Sequence, residues 1–428
     1  MAARETGEGP RLSLGRPFRR SDSTAQREHA GEPRADSNEA AVRATDNDAL
    51  LSRASAVAAG YLPPDPYVRC FAEACDMSVR RPLLINIGTT LRSAEVDRRV
   101  DAFLHTGTLC ASGPSAASDA APRPSPAPGA RVQIVSLGAG SDTRFWRLSD
   151  GSAHDAPPRA LAKYVEVDYS DVTQQKLRQI RAHRTLSARL GELRDGASDA
   201  DARSERYAIL GVNLLDLLPD AAGKPSHAWE TLVAQLDRSL PTLILCECVL
   251  AYLDASAADR LLRQFAACFP RLSLLCYDMC VAGDRQDAVG APSRFGNVML
   301  QNLSLELPGA RKYTTPHAYA ARFDRVMRET AGRSGAQRGG EGDAVGDAPP
   351  AMSRGEAEIA SGAQSLRGLW HALDTDERRR LSRLEGLDEV EELEMLLGHY
   401  CLSWAERGGG AEGGAASTAE DSDSGGDQ

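Results

Sequence analysis

The chain is short of several things, and each shortage excludes a class of protein. It has no run of roughly 20 apolar residues, the length a membrane-spanning helix needs, so no membrane role is expected. Its first residues, MAARETGEGPRLSLGRPFRR, lack the apolar stretch of a secretory signal and carry acids, which also argues against a transit peptide. Positive charge is in deficit: 60 Asp and Glu against 50 Lys and Arg leave a net charge of -10, which speaks against a general nucleic-acid binder. Aromatics make up only 5% of the residues while Gly and Pro number 38 and 23, so much of the chain lies outside a packed core. Paired cysteine spacing is also missing. Nine scattered cysteines, with no CxxC pair facing a second pair or a His pair, read as reduced, buried thiols of a cytoplasmic or nuclear protein, with no metal site.

The polar, low-complexity stretches fall at residues 1–38, 111–130, 333–363 and 407–428. They read as a disordered arm, two disordered insertions and a disordered tail around one domain at 39–406. Basic residues cluster at Arg16, Arg19 and Arg20, and again from Arg92 to Arg99. Apart from Arg92 these read as a solvated tail and a solvated helix face.

Within the domain, residues 39–60 have helical spacing and end at Gly60, a C-cap. Further helices are expected to start near Asp65-Pro66 and near Ser93. From residue 132 the pattern changes to short apolar runs separated by helical segments. The runs are VQIVSLG (132–138), KYVEVD (163–168), YAILGVNL (207–214), TLILCECVLAYL (242–253) and LSLLCYDMC (272–280). SDVTQQKLRQIRAH (170–183) and SAADRLLRQFAACF (256–269) are the clearest helices between them, and this alternation predicts an α/β fold with a doubly wound, mostly parallel sheet. A helix near 294–304, an amphipathic helix in LDEVEELEMLLGH and an edge strand in YCLSWAE complete the pattern.

In open sheets of this kind, ligands bind at the carboxyl ends of the strands. There the sequence places Gly138 and Gly140 in a turn leading to a helix, Asp168 at the end of the next strand, and Glu247 in an otherwise apolar run. Glycines allow the backbone to approach a ligand, and a strand-end carboxylate can accept both hydroxyls of a ribose. A dinucleotide and S-adenosylmethionine fit that pattern equally. The missing third glycine of the dinucleotide fingerprint favours the ligand without a pyrophosphate. A buried Glu247 is costly unless it faces a cationic or polar group.

Six segments in order resemble the leucine carboxyl methyltransferase family: RRPLLINIGTTLRSAEVD (80–97), VQIVSLGAGSDTRFWRL (132–148), KYVEVDYSDVTQQKL (163–177), RYAILGVNLLDL (206–217), LPTLILCECVLAYL (240–253) and LEGLDEVEELEMLLGHYCLSWAE (384–406). The resemblance implies a class I S-adenosylmethionine-dependent methyltransferase fold with an N-terminal helical extension, acting as a monomer. It implies methyl transfer to the α-carboxylate of the C-terminal leucine of the protein phosphatase 2A catalytic subunit. Cofactor-binding positions carried over are Arg53, Arg92 (a grip on the cofactor's carboxylate), Gly138, Asp168, Asn213 and Leu214 beside the adenine, and Glu247 near the amino group. Tyr252 would line the methyl-transfer region. Asn213 departs from the family's usual aspartate, and residues 284–300 depart from its continuous run near the substrate cleft. The competing expectations are a same-fold enzyme for another carboxylate or a tRNA nucleoside, and a non-catalytic scaffold that binds the cofactor or the phosphatase.

Overall fold

The computed structural model describes residues 34–72, 80–109, 131–149, 160–285, 290–303, 305–331 and 359–408. Three helices precede the sheet: α1 (Arg34–Ala58), α2 (Val68–Phe71) and α3 (Leu83–Thr106). Two more connect its first strands, α4 (Arg144–Ser149) and α5 (Ser170–Ala182). The strands are β1 (Arg131–Leu137), β2 (Ala160–Asp168), β3 (Arg194–Asp195), β4 (Ala202–Arg203), β5 (Tyr207–Gly211), β6 (Thr242–Glu247), β7 (Leu272–Met279), β8 (Ile359–Ser365) and β9 (Tyr400–Arg407). They form one sheet in the order β3-β4-β5-β2-β1-β6-β7-β9-β8.

The five central strands, β5-β2-β1-β6-β7, are all parallel. Those strands are mostly apolar because helices cover both faces. Val132 and Ile134 of β1 pack with Val96 and Phe103 of α3 on one face. Val135 and Leu137 pack with Leu261, Phe265 and Phe323 on the other. The chain order reverses between β1 and β6, so the carboxyl ends of these strands frame a crevice. The expected α/β, doubly wound, mostly parallel sheet with a helical N-terminal extension is the fold observed.

Several local expectations need correction. α1 begins at Arg34, inside the stretch read as a disordered arm. α3 begins at Leu83, ten residues before Ser93. Gly88 and the β-branched pair Thr89-Thr90 weaken its helix signal, and packing of Ile87 and Leu91 into the core overrides that weakness. The TLILCECVLAYL strand stops at Glu247, where Cys248 turns the chain with a left-handed φ of 56°. YCLSWAE is not an edge strand: β9 lies between β7 and β8, antiparallel to both. The edge is β8, whose IASGAQS sequence begins inside the stretch read as an insertion. Likewise Arg407 ends β9 rather than opening a tail, and its guanidinium is buried against Ala266, Met327 and Thr330. Residues 1–33, 111–130, 332–358 and 409–428 lie outside the described residues.

Arg99 is likewise not on a solvated face. It is buried, paired with Glu95 at 2.7 Å and stacked 3.6 Å from the Trp404 ring centre. Cys246, Cys276, Cys280 and Cys401 are buried free thiols. Among the described residues no group of His, Cys, Asp and Glu is arranged to hold a metal, and no helix is long and apolar enough to cross a membrane.

Candidate active site

A cavity of about 1160 Å³ opens at the carboxyl ends of the central strands, roofed by α1 and flanked by α3. All eight residues singled out from the sequence line it: Arg53, Arg92, Gly138, Asp168, Asn213, Leu214, Glu247 and Tyr252.

Arg92, in the third turn of α3, meets Glu247 at the end of β6 through Nε, 2.7 Å from Oε2. The guanidinium also lies over the Tyr277 ring, 4.9 Å from its centre. Burial opposes the charge on Glu247, yet Arg144 and Arg92 outweigh it and hold the carboxyl below its ordinary range. Glu247 therefore faces cations, as its place in an apolar run required.

Gly138 and Gly140 have φ of 63° and 46°, the left-handed turn that carries β1 into α4. What approaches these glycines closely is protein. A Cβ on Gly138 would lie 2.5 Å from a Val249 methyl, and one on Gly140 2.3 Å from Asp46 Oδ1. Asp168 closes the turn from the neighbouring strand, accepting the Gly140 and Tyr169 amides at 2.7 Å each. Burial pushes its carboxyl up to about 6, against those two amides.

Asn213 accepts the Leu215 amide through its side-chain oxygen at 3.0 Å, capping the short 3₁₀ turn Leu214–Leu217, and its amide nitrogen points to Glu39 Oε1 at 3.4 Å. Arg53 is spent within the protein, on Asp65 at 2.9 Å and Ser93 at 3.4 Å. Burial and Arg147 push its pKa down. Tyr252 is half-buried, and burial raises its pKa. The adjoining segment 284–300 is described only to residue 285 and from residue 290, where the helix Arg294–Leu303 forms.

Three residues escaped sequence reasoning. Arg144, buried at the start of α4, reaches Glu247 Oε1 at 2.9 Å, Asp97 at 2.9 Å and also Asp142. Asp97 joins α3 to α4 through Arg144 and Arg147. Asp46 binds α1 to the glycine turn through the Ser141 amide and hydroxyl, both at 2.7 Å. The pairs are too far apart in sequence to leave a local signal.

A family model described as leucine carboxyl methyltransferase matches residues 119–266. Leucine carboxyl methyltransferase 1 of Mycosarcoma maydis is 33% identical, covering 86% of this chain and 78% of that protein. The chain belongs to the leucine carboxyl methyltransferase family. The proteins of the same name from Cryptococcus neoformans and rat are 32% and 29% identical, covering 88% and 87% of this chain and 96% and 92% of theirs. The chain is thus a carboxyl methyltransferase, and the cavity at the strand ends is where a ligand of this fold binds.

Proposed function

We propose that this methyltransferase uses S-adenosylmethionine to esterify the α-carboxylate of the C-terminal leucine of the protein phosphatase 2A catalytic subunit. The observation that carries the reading is the Arg92–Glu247 pair in a cavity that also holds Asp168. It sets a cation and an anion side by side, as an amino-acid zwitterion requires, on the same cavity wall as a carboxylate suited to a ribose.

The residues fit that cofactor on three grounds. Arg92 has Glu247 as its acceptor among the described residues, through Nε alone, and its terminal nitrogens suit a carboxylate. Asp168 carries a carboxyl that burial penalises and that hydroxyl donors would relieve. The cavity exceeds the roughly 300–1,000 Å³ of ordinary ligand pockets, so room remains for an acceptor tail. Arg53, Gly138, Asn213 and Leu214 complete the set that would hold the cofactor, Asn213 without the charge of the family's aspartate. Bound there, S-adenosylmethionine supplies an already activated methyl group.

The acceptor needs no base from the protein, because a terminal carboxylate with a pKa of about 3.5 is ionised at neutral pH. The protein contributes alignment, worth up to roughly 7–11 kcal/mol in the best intramolecular cases, and exclusion of water by α1. Tyr252, which lines the same cavity, is the residue we assign to the methyl-transfer region. Action as a monomer in the cytoplasm or nucleus belongs to the same reading.

The test is transfer of labelled methyl to phosphatase core enzyme as a base-labile ester, lost when the acceptor's terminal leucine is deleted. Transfer that survives the deletion assigns another acceptor. No transfer to any carboxylate, with cofactor bound, leaves a scaffold.

A further inference from the structure

The cavity has an apolar end that the residues assigned to the donor do not form. Leu84 and Ile85 of α3 meet Leu396 and Tyr400 there, packed around Phe295 and Met299. Leu303, one helical turn past Met299, lines the same cavity and is 37% exposed. The rim carries unmatched acids. Glu39 and Asp48 are paired with Arg43 at 3.1 Å and Arg81 at 2.7 Å. Glu306, Glu389 and Glu392, which also line the cavity, meet no cation among the described residues. Glu389 and Glu392 stand at the start of the helix Val390–Leu397, so two of the acids share one element with the apolar wall.

The described chain begins at this rim. Asn38, one helical turn into α1, accepts the Glu306 amide at 2.9 Å through its side-chain oxygen. Upstream lies a basic cluster that the site does not use. Residues 11–20, RLSLGRPFRR, carry Arg11, Arg16, Arg19 and Arg20 with Leu12, Leu14 and Phe18 among them, and no acid occurs from residue 9 to residue 21. The 14 residues from Arg20 to Arg34 have a contour of up to roughly 46–50 Å, so the segment can cross the cavity from its anchor on α1.

We propose that residues 11–20 dock in the apolar end of the cavity as an autoinhibitory arm, their arginines against Glu306, Glu389 and Glu392 and their apolar side chains in the space left for an acceptor tail. The segment has no terminal carboxylate, so it excludes the acceptor without being methylated. A tether this short supplies an effective concentration on the order of millimolar, and exposed ion pairs that are weak singly are then sufficient. The placement rests on Arg92, Asp168 and Glu247 holding the donor; the docking itself requires no particular acceptor.

The test titrates a fluorescein-labelled peptide of residues 9–22 into three forms of the full-length chain and reads anisotropy. In the wild-type chain its own arm fills the groove, and the peptide binds weakly. With Arg11→Gln, Arg16→Gln, Arg19→Gln and Arg20→Gln together the groove is open, and the peptide binds at least about tenfold more tightly. Adding Glu306→Gln, Glu389→Gln and Glu392→Gln to that variant weakens binding by about three- to thirtyfold, the size expected for losing several exposed ion pairs. Saturating S-adenosylhomocysteine leaves the peptide in place, because the donor occupies the other part of the cavity. Equal binding by the wild-type and arm-neutralised chains overturns the inference, as do absence of binding to either, binding that withstands loss of the three glutamates, and displacement by S-adenosylhomocysteine. A wild-type mass that doubles with concentration, and does not in the arm-neutralised chain, puts the arm on a second copy and overturns it as well. The peptide assay uses no acceptor, so it can fail while methyl transfer to the phosphatase succeeds, and the reverse.

Discussion

Asp46 of α1 accepts both the amide and the hydroxyl of Ser141, the residue that follows the glycine turn, at 2.7 Å each. One carboxylate thus fastens the roof of the cavity to its floor. Asp46→Ala leaves a half-buried amide without its acceptor and is expected to cost about 1–3 kcal/mol. Urea unfolding measures the loss, and faster hydrogen exchange at Ser141 locates it. Unchanged exchange there would show that α1 is held by its apolar contacts alone.

If Asp168 is the ribose acceptor proposed above, cofactor binding is expected to depend on pH. Burial pushes its carboxyl up to about 6, so it is ionised above that value and protonated below it. The ionised form accepts ribose hydroxyls more strongly, so affinity for S-adenosylhomocysteine should weaken as pH falls through 6 and level off above 7. Asp168→Asn should bind weakly with no step near pH 6. A step that survives in that variant would assign the titration to another group.

The strands and the glycine turn are legible in the sequence because they depend on local patterns. β1, β2 and β7 are short runs rich in apolar and β-branched residues, bounded by turn or capping residues, and buried parallel strands leave that trace. Gly138, Asp168 and Glu247 were legible because open parallel sheets place ligands at strand ends, whereas Arg53, Arg92, Asn213, Leu214 and Tyr252, which line the same cavity, were singled out through the family resemblance. β8 was not legible: Gly362, Ala363 and Ser365 have little strand preference, and it exists because β9 offers a free edge. The Arg144 network was invisible for a different reason. Asp97, Arg144 and Glu247 lie on three separate elements, and only the fold reveals that they pair.

Stability should fall as pH rises from about 5 to 8. Burial pushes Asp278 and Glu166 each up to about 7, well above their ordinary values. Between about 4 and 7 the folded chain therefore holds protons that the unfolded chain has released, and the slope of stability against pH is negative in that window. Asp97 and Glu247, held low by arginines, act in the opposite sense only at more acidic pH, where they take up protons in the unfolded chain first. Urea midpoints at pH 5, 6, 7 and 8 measure the slope, and Asp278→Asn should flatten it. A slope that steepens in that variant would show that Asp278 does not hold its proton in the folded chain.

The loop carrying Tyr252 is gripped from two sides. Asp278 accepts the Ala251 amide at 2.9 Å, and the Ala251 carbonyl accepts the Gly309 amide at 3.0 Å. A Cβ on Gly309 would lie 1.9 Å from the Leu250 carbonyl oxygen and 3.0 Å from the Ala251 Cα, so the backbone itself must move to admit it. Overpacking of this kind costs about 1–3 kcal/mol, and the loop, which ends no strand or helix there, is the part that yields. Because Arg92, Asp168 and Glu247 stand on other elements, Gly309→Ala should leave affinity for S-adenosylhomocysteine within about threefold while kcat for methyl transfer falls about tenfold or more, the size that small misplacements of reacting groups produce. Calorimetry and steady-state kinetics on the same preparation separate the two effects. Equal losses in both would mean that the strain spreads along β6 to Glu247, and an unchanged kcat would remove Tyr252 and its loop from the transfer step.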